Sequence, residues 1–306
     1  MSQTIIQDNR PLSWFEATAR QRLSAFLDHG SFTEFLSPGE REISPHLARF
    51  DLPAQFDDGI VIGRARLGSK EIFVAAQEGR FMGGAFGEVH GAKLVGLLRA
   101  AKHAGQDAVL LLDTGGVRLQ EANAGELAIA EIMHAIVELR AEGNSVIGLI
   151  GGRAGCFGGG GLIAGCCTRL IVSEPGRISV SGPEVIETNR GVEEFDSQDR
   201  AFVWRTMGGK HRYLVGGADR FVPDDTAAFR AAAIEALAMR TPLTFSVLET
   251  EQARLKARLE RFGTTSDGRE VWQALGIKDA AAVPGMGAEE FLHIAKAIRE
   301  TADDAR

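Results

Sequence analysis

Residues 108–121 read AVLLLDTGGVRLQE. Ala108 to Leu112 is a short apolar run without polar alternation, the pattern of a strand buried on both faces of a sheet. Asp113-Thr114-Gly115-Gly116 then breaks the run as a turn, and the periodicity beyond it predicts a long helix to about Glu142. The same strand, glycine turn and helix recur on either side. Upstream, GIVIGRARLGSKEIFVAA (59–76) predicts a β-hairpin, with Ile60, Ile62, Ala65 and Leu67 on one strand, a turn at Leu67-Gly68-Ser69-Lys70, and a return from Ile72 to Ala76. It leads into RFMGGAFGEV (80–89) and a helix with Val89, Leu94, Leu97 and Leu98 on one face. Downstream, SVIGLIG (145–151) runs into GCFGGGGLIAGCC (155–167), a helix, the strand RLIVS (169–173) and GRISVSGPEVIE (176–187). The order β-β-α-β-α-β-α-β implies an α/β core whose loops at the strand ends build the site.

The flanks read as helical. Trp14, Phe15, Leu23, Phe26 and Leu27 fall near helical spacing within residues 12–36, with His29-Gly30 ending the run. Residues 196–240 read as helix apart from HRYLVGGADRFVPDD, where Gly216-Gly217 turns and Phe221-Val222 is a short strand; further helices are expected over 243–262 and 287–302, around a polar connection at 263–269. No low-complexity linker interrupts the chain. The expectation is therefore a single domain over 1–306, with a core at about 59–225, a helical N-terminal extension over 1–58 and a helical C-terminal extension over 226–306.

The two glycine clusters, Gly83-Gly84 and Gly158 to Gly161, each lie between a strand and a helix. Glycine lets backbone approach a ligand with no side chain in the way, and a helix N-terminus leaves its first N–H groups unbonded. Two such donors converging on one carbonyl oxygen would hold an enolate or a tetrahedral oxyanion. The chemistry they suggest is that of an enzyme acting on a carbonyl, with a thioester as the favoured substrate class.

Composition removes several other classes. With 306 residues and 44% hydrophobic content the chain can bury a substantial core. No apolar run is long enough to span a membrane, and the opening residues lack a signal-peptide pattern, so a cytoplasmic location is expected. A formal charge of −7 argues against nucleic-acid binding. Cys156, Cys166 and Cys167 do not suggest a disulfide framework and read as small core residues, and no metal-ligand spacing is present. Neither a G-x-S-x-G elbow nor a phosphate-binding P-loop occurs. A dinucleotide-binding reading of SVIGLIG and its glycine loop fits only the looser G-x-G-x-x-A form, at Gly159, Gly161 and Ala164.

Taken in order and spacing, GRFMGGAFGEVHGAK, LLLDTGGVRLQE, GLIGGRAGCFGGGGLIAG and GRISVSGPEVIE resemble the N-terminal half of the acyl-CoA carboxyltransferases, members of the ClpP/crotonase superfamily. The resemblance covers roughly Gly59 to Asp225. It implies a core of repeated ββα units wound as a spiral, with N- and C-terminal helical extensions. Within that superfamily the chain looks most like the beta subunits of biotin-independent malonate decarboxylases. The activity so implied is that of a carboxy-lyase: a malonyl thioester on an acyl-carrier subunit loses CO2 to give the acetyl thioester, through an enolate. A gamma subunit would supply the second half of a two-chain active site, and an acyl-transferase (alpha) subunit would load the carrier. No cofactor would be bound directly, and a phosphopantetheine-type group would arrive on the carrier.

Carried over by motif, Gly83-Gly84 would hold the first oxyanion donor and Gly159-Gly160 the second, with Gly115, Gly116, Arg118 and Gly158 at the substrate. Asp113, Arg118 and Glu121 also read as a structural ion-pair network or a subunit contact rather than a catalytic set. Glu184, in its Gly-Pro-Glu setting, is the candidate acid, unless the proton donor belongs to the partner. A hydratase is disfavoured, because Leu162, Ile163 and Ala164 stand where its glutamate would fall. The alternative is the carboxyltransferase half of a biotin-dependent acyl-CoA carboxylase or decarboxylase. The four-cysteine zinc module of the bacterial acetyl-CoA carboxylase beta subunit is not present. A docking scaffold without activity is the non-enzyme alternative.

Overall fold

The chain organises around a single sheet whose strands lie side by side in the order in which they occur along the sequence. The structure, a computed structural model, describes residues 12–301. The strands are β1 (Thr33–Phe35), β2 (Ile60–Leu67), β3 (Lys70–Gln77), β4 (Asp107–Leu112), β5 (Val146–Ile150), β6 (Arg169–Val172) and β7 (Arg220–Phe221). The first three pair antiparallel, and β3 through β7 pair parallel. The predicted hairpin closes with Leu67 opposite Lys70, and Gly68 takes the positive φ of 65° that a two-residue turn needs.

The parallel steps from β3 to β6 each cross through one helix: α2 (Glu88–Ala104), α3 (Asn123–Ala141) and α4 (Gly159–Cys166). These cover one face of the sheet, where Ala108, Leu110 and Leu112 of β4 meet Leu94, Leu98, Ile132 and Ile163. The intervening Val109 and Leu111 point to the other face, against Trp14, Leu23, Phe26 and Phe229. A strand buried on both sides needs apolar residues at every position, which is why β4 shows no alternation.

The loops that follow β3, β4, β5 and β6 stack on one another through isolated parallel bridges, Phe86 to Val117, Thr114 to Cys156 and Cys156 to Ile178. Each loop thus adds one rung to a second ladder, and successive units wind as the spiral expected from the sequence. A sheet in strictly sequential order also has no topological switch point, the crevice at which dinucleotides bind in doubly wound folds, so that rival reading is set aside.

The flanks depart from expectation in detail. The first helix is shorter than 12–36: α1 (Ala19–Phe26) starts at a capping box between Thr18 and Gln21, and the chain then enters β1, the edge strand beside β2. The segment before residue 59 is therefore not purely helical. The C-terminal side carries α5 (Pro183–Arg190), α6 (Arg200–Met207), α7 (Gly209–Leu214), α8 (Thr226–Ala238), α9 (Phe245–Phe262), α10 (Gly268–Ala274) and α11 (Ala288–Thr301). Helix α7 covers residues expected to be irregular. Helix α10 begins inside the expected connection, where the Asp267 side chain accepts the Arg269 N–H. Helices α1 and α8 close the second face of the sheet, with Trp14 stacked on Phe229 at 4.2 Å between ring centroids. Complete burial of such an aromatic side chain contributes on the order of 2 kcal/mol or more. Among the described residues, no helix is long and apolar enough to cross a membrane.

Candidate active site between two glycine turns

The first glycine turn leaves the end of β3 in a left-handed conformation, with Met82, Gly83 and Gly84 at φ 49°, 64° and 67°. Gly83 has open space where a side chain would project, so its glycine serves the backbone angle. At Gly84 the requirement is close approach, because a Cβ would overlap the carbonyl of Asp113. The amides differ accordingly. Gly84 N–H donates to Phe81 O at 2.9 Å, whereas Gly83 N–H has no acceptor among the described residues.

The second turn repeats this division. Gly160 is buried against Thr114, and its N–H donates to Phe157 O at 2.9 Å. Gly158 caps α4 at φ 57° and ψ −131°, Gly159 is the first residue of the helix, and the N–H groups of both lack an acceptor among the described residues. Gly83 is exposed, and Gly158 and Gly159 are partly so. Of each expected donor pair, then, one member presents its amide and the other makes the turn fit.

The loop Asp113 to Gly116 joins the two turns. Gly115 N–H donates to Gly83 O at 2.8 Å, and a Cβ on Gly158 would stand 3.2 Å from the Gly116 Cα. Gly116 is held by its own N–H to Thr114 Oγ1, and its carbonyl accepts the Phe86 N–H. Gly83, Gly115, Gly116 and Gly158 therefore form one continuous strip of backbone.

Arg118 has a different position from the one expected of a substrate contact. Its side chain is completely buried; Nε donates to Ala85 O, Nη1 to Asp58 Oδ2 at 2.8 Å and Glu121 Oε1 at 3.0 Å, and Nη2 to Asp58 O. Glu121 in turn accepts the Glu88 N–H at 2.6 Å at the start of α2. Burial pushes the Glu121 carboxyl up, but the Glu88 amide and the Arg118 guanidinium outweigh it and leave its pKa lowered. At Asp58 burial prevails over Arg118, and the pKa is raised. The ion-pair reading of Arg118 and Glu121 describes this geometry, which anchors α2, and with it the first glycine turn, to the second motif.

Glu184 lies exposed in the first turn of α5, and no hydrogen bond links its carboxylate to either glycine turn. Cys156 is buried under the site, and desolvation pushes its thiol well above the ordinary range, followed by the nearby Cys167 and Asp113, so it has no nucleophilic character. His46, Glu88 and Glu121 bring potential metal-ligand atoms within 4.8 Å of one another. Glu121 is already bonded to Arg118 and the Glu88 amide, and His46 Nε2 lies 2.7 Å from the Glu88 carboxylate, so this group forms a hydrogen-bonded cluster rather than an open coordination site.

Two contributors were not singled out in the sequence. Gln77 accepts the Asp113 N–H with its side-chain oxygen and donates to Gly84 O, tying β3 to both loops. Arg22 reaches from α1 to the Asp113 carboxylate at 2.9 Å. The signal for Arg22 was present, since it shares a face with Ala19, Leu23 and Phe26, where a charge needs a buried partner.

Glycine turns of this form, linked by a D-T-G-G-x-R loop, invite comparison with known proteins. The carboxyl transferase domain family matches residues 16–241. The chain belongs to that family. Among carboxyl transferase domain proteins it is 38% identical to the malonyl-S-ACP:biotin-protein carboxyltransferase MADC of Malonomonas rubra, over 97% of this chain and 98% of that one. It is similar to a chain in the crystal structure of a Pseudomonas malonate decarboxylase hetero-tetramer in complex with malonate, at 42% identity and a TM-score of 0.75, covering 80% of this chain and 91% of that one. A chain of the Pseudomonas malonate decarboxylase MdcD-MdcE hetero-dimer matches at 36% identity with a TM-score of 0.65, over 82% and 96% of the two chains. The spiral α/β fold is thus shared with this family, whose members act on carboxyl groups, and the structural relatives work together with other subunits.

Proposed function

We propose that this chain decarboxylates a malonyl thioester carried on an acyl-carrier subunit, as one half of a two-chain active site. The observation that carries the proposal is the pair of glycine turns whose Gly83 and Gly159 amides are accessible and have no acceptor among the described residues, and whose backbones are joined through Gly115-Gly116. When the bond between the malonyl carboxylate and its neighbouring carbon breaks, the electron pair moves onto the thioester oxygen. Backbone donors already in place stabilise that charge without reorganising, an effect worth about 3 kcal/mol for each donor. The enolate carbon then takes a proton to give the acetyl thioester and CO2. Glu184, exposed on α5, is the candidate acid on this chain, with the partner as the other source.

Leu119, at 86% exposure, and Leu162, Val180 and Val185 also stand exposed in the segments that carry the glycine turns or follow them. Exposed apolar residues beside a site suit a second protein surface. We assign that role to a gamma subunit, with the carrier's phosphopantetheine-type arm entering between the chains and an acyl-transferase subunit loading it. No group held by this chain itself is required.

A second reading has its own support. The Malonomonas relative, matched over nearly its whole length, is named as a carboxyltransferase to a biotin protein. The first step would be the same, with CO2 passing to biotin instead of being released. The test is CO2 release from a malonyl thioester by this chain with its co-purified partners. Release that is insensitive to avidin supports the decarboxylase; release abolished by avidin, or carboxylation of the biotin protein without release, supports biotin-linked transfer; loss of the malonyl carboxylate by neither route in the assembled complex overturns both.

A further inference from the structure

Away from the glycine turns, helix α9 and the turn after it enclose a second cavity against α6, α7 and α10, of about 640 Å³. Its walls carry apolar side chains such as Phe195 and Leu259, but its charged groups are mainly arginines: Arg212, Arg254 and Arg258. The two carboxylates that line it are already engaged. Glu251 holds Arg254 through both oxygens, at 2.6 and 2.8 Å, and Asp267 is bonded to Arg205 and Arg269.

Arg212 is the exception among these side chains. Its guanidinium forms no ion pair among the described residues, and its Nε is sealed from solvent without a hydrogen-bond partner. Desolvation lowers its pKa to about 10, and the like charge of Arg258 acts in the same direction. A guanidinium left without an anion in a partly closed space is costly and is ordinarily compensated. His211, beside it, accepts the Trp272 Nε1–H at Nδ1, which leaves Nε2 as the protonated nitrogen. The cavity therefore presents the Arg212 guanidinium without a carboxylate partner, and the His211 Nε2–H without an acceptor, among the described residues.

We propose that this cavity is a binding site for a phosphate-bearing small ligand, with Arg212 and Arg258 as its anion contacts. A group carrying two charges on one centre suits two guanidiniums close enough to repel each other, and planar guanidinium forks match phosphoryl oxygens. The apolar wall leaves room for an organic portion beyond the phosphate. This site is separate from the glycine turns and does not depend on the reaction assigned to them.

The experiment is thermal melting and calorimetric titration of the full chain with inorganic pyrophosphate at fixed ionic strength, with malonate as the carboxylate comparison. Saturable binding of pyrophosphate with a raised Tm is expected, and Arg212→Met should weaken it about ten-fold or more. In anion-free buffer the same variant should melt no lower than the parent, because the removed cation had no partner. If Arg212→Met does not fold, Arg258→Gln should show the same loss of affinity. The proposal is overturned if pyrophosphate acts no differently from added chloride, if malonate binds equally well, or if neither substitution changes the titration.

Discussion

Arg22 and Asp113 form an ion pair at 2.9 Å with both side chains almost wholly buried, joining the first helix to the loop between the two glycine turns. The other Asp113 oxygen accepts the Ala154 N–H at 2.7 Å, and Gly79 and Gly152 leave no space for a Cβ beside the carboxylate. One side chain thus fixes the loops after β3, β4 and β5 relative to each other. Arg22→Met would leave a buried carboxylate with a single neutral donor, and should cost about 3–5 kcal/mol. Urea denaturation measures this, and a loss below 1 kcal/mol would show that the loops are held by other contacts.

The donor role of Gly159 can be separated from its packing. A Cβ at Gly159 meets Ile129 at 2.5 Å, so Gly159→Ala and Gly159→Pro share that crowding, but only proline removes the N–H. Proline is well suited to the first position of a helix. Turnover of Gly159→Pro should fall about 100-fold or more below that of Gly159→Ala, as for loss of one oxyanion donor. Equal rates in two folded variants would remove this amide from the mechanism.

Adjacent glycines in the first turn should respond unequally. Gly83→Ala places its Cβ in open space and pays only for a positive φ, on the order of 1 kcal/mol. Gly84→Ala forces a Cβ into the Asp113 carbonyl and should be far more destabilising, by several kcal/mol. Melting temperatures of the two variants give the order directly.

Ala122, which caps α3, has φ 45° and ψ −129°, nearly the conformation that Gly158 adopts at the cap of α4. The repeat of the fold is visible in this pair, and alanine is strained there where glycine is not. Ala122→Gly should raise stability by about 1 kcal/mol. An unchanged or lowered Tm would contradict the strain assignment.

Two histidines make the protein acid-sensitive. Burial lowers the pKa of His211 from 6.5 to about 3, and burial followed by the Arg118 charge holds His90 well below 6.5. Both are neutral in the folded protein but gain protons on unfolding once the pH is below the ordinary value. Their contribution is therefore complete above pH 6.5 and declines as the pH falls, for His211 down to about 3. Each contributes at most about 1.4 kcal/mol per pH unit in that range. Denaturation at pH 7.5, 6.5 and 5.5 should show the larger loss in the last interval, and His211→Gln should reduce its slope.

Much of this molecule follows from local pattern. The uninterrupted apolar run of β4, the hairpin register set by Gly68-Ser69, and the glycine clusters between strands and helices are consequences of short-range chemistry, and they are legible in the sequence together with the family. What local pattern does not contain is the destination of each hydrogen bond. Gly83 and Gly84 look alike in sequence; only the folded loop shows that one amide is taken by Phe81 O and the other is left open. Arg118 reads equally well as a substrate contact or an ion-pair partner until Asp58 arrives from a loop that precedes the hairpin. The same holds for Arg22 and Asp113, and for β1, whose three residues become a strand because β2 offers an unpaired edge. Residues distant in sequence decide those outcomes, because buried charges and backbone groups take their partners from whatever the packing of the sheet brings within reach.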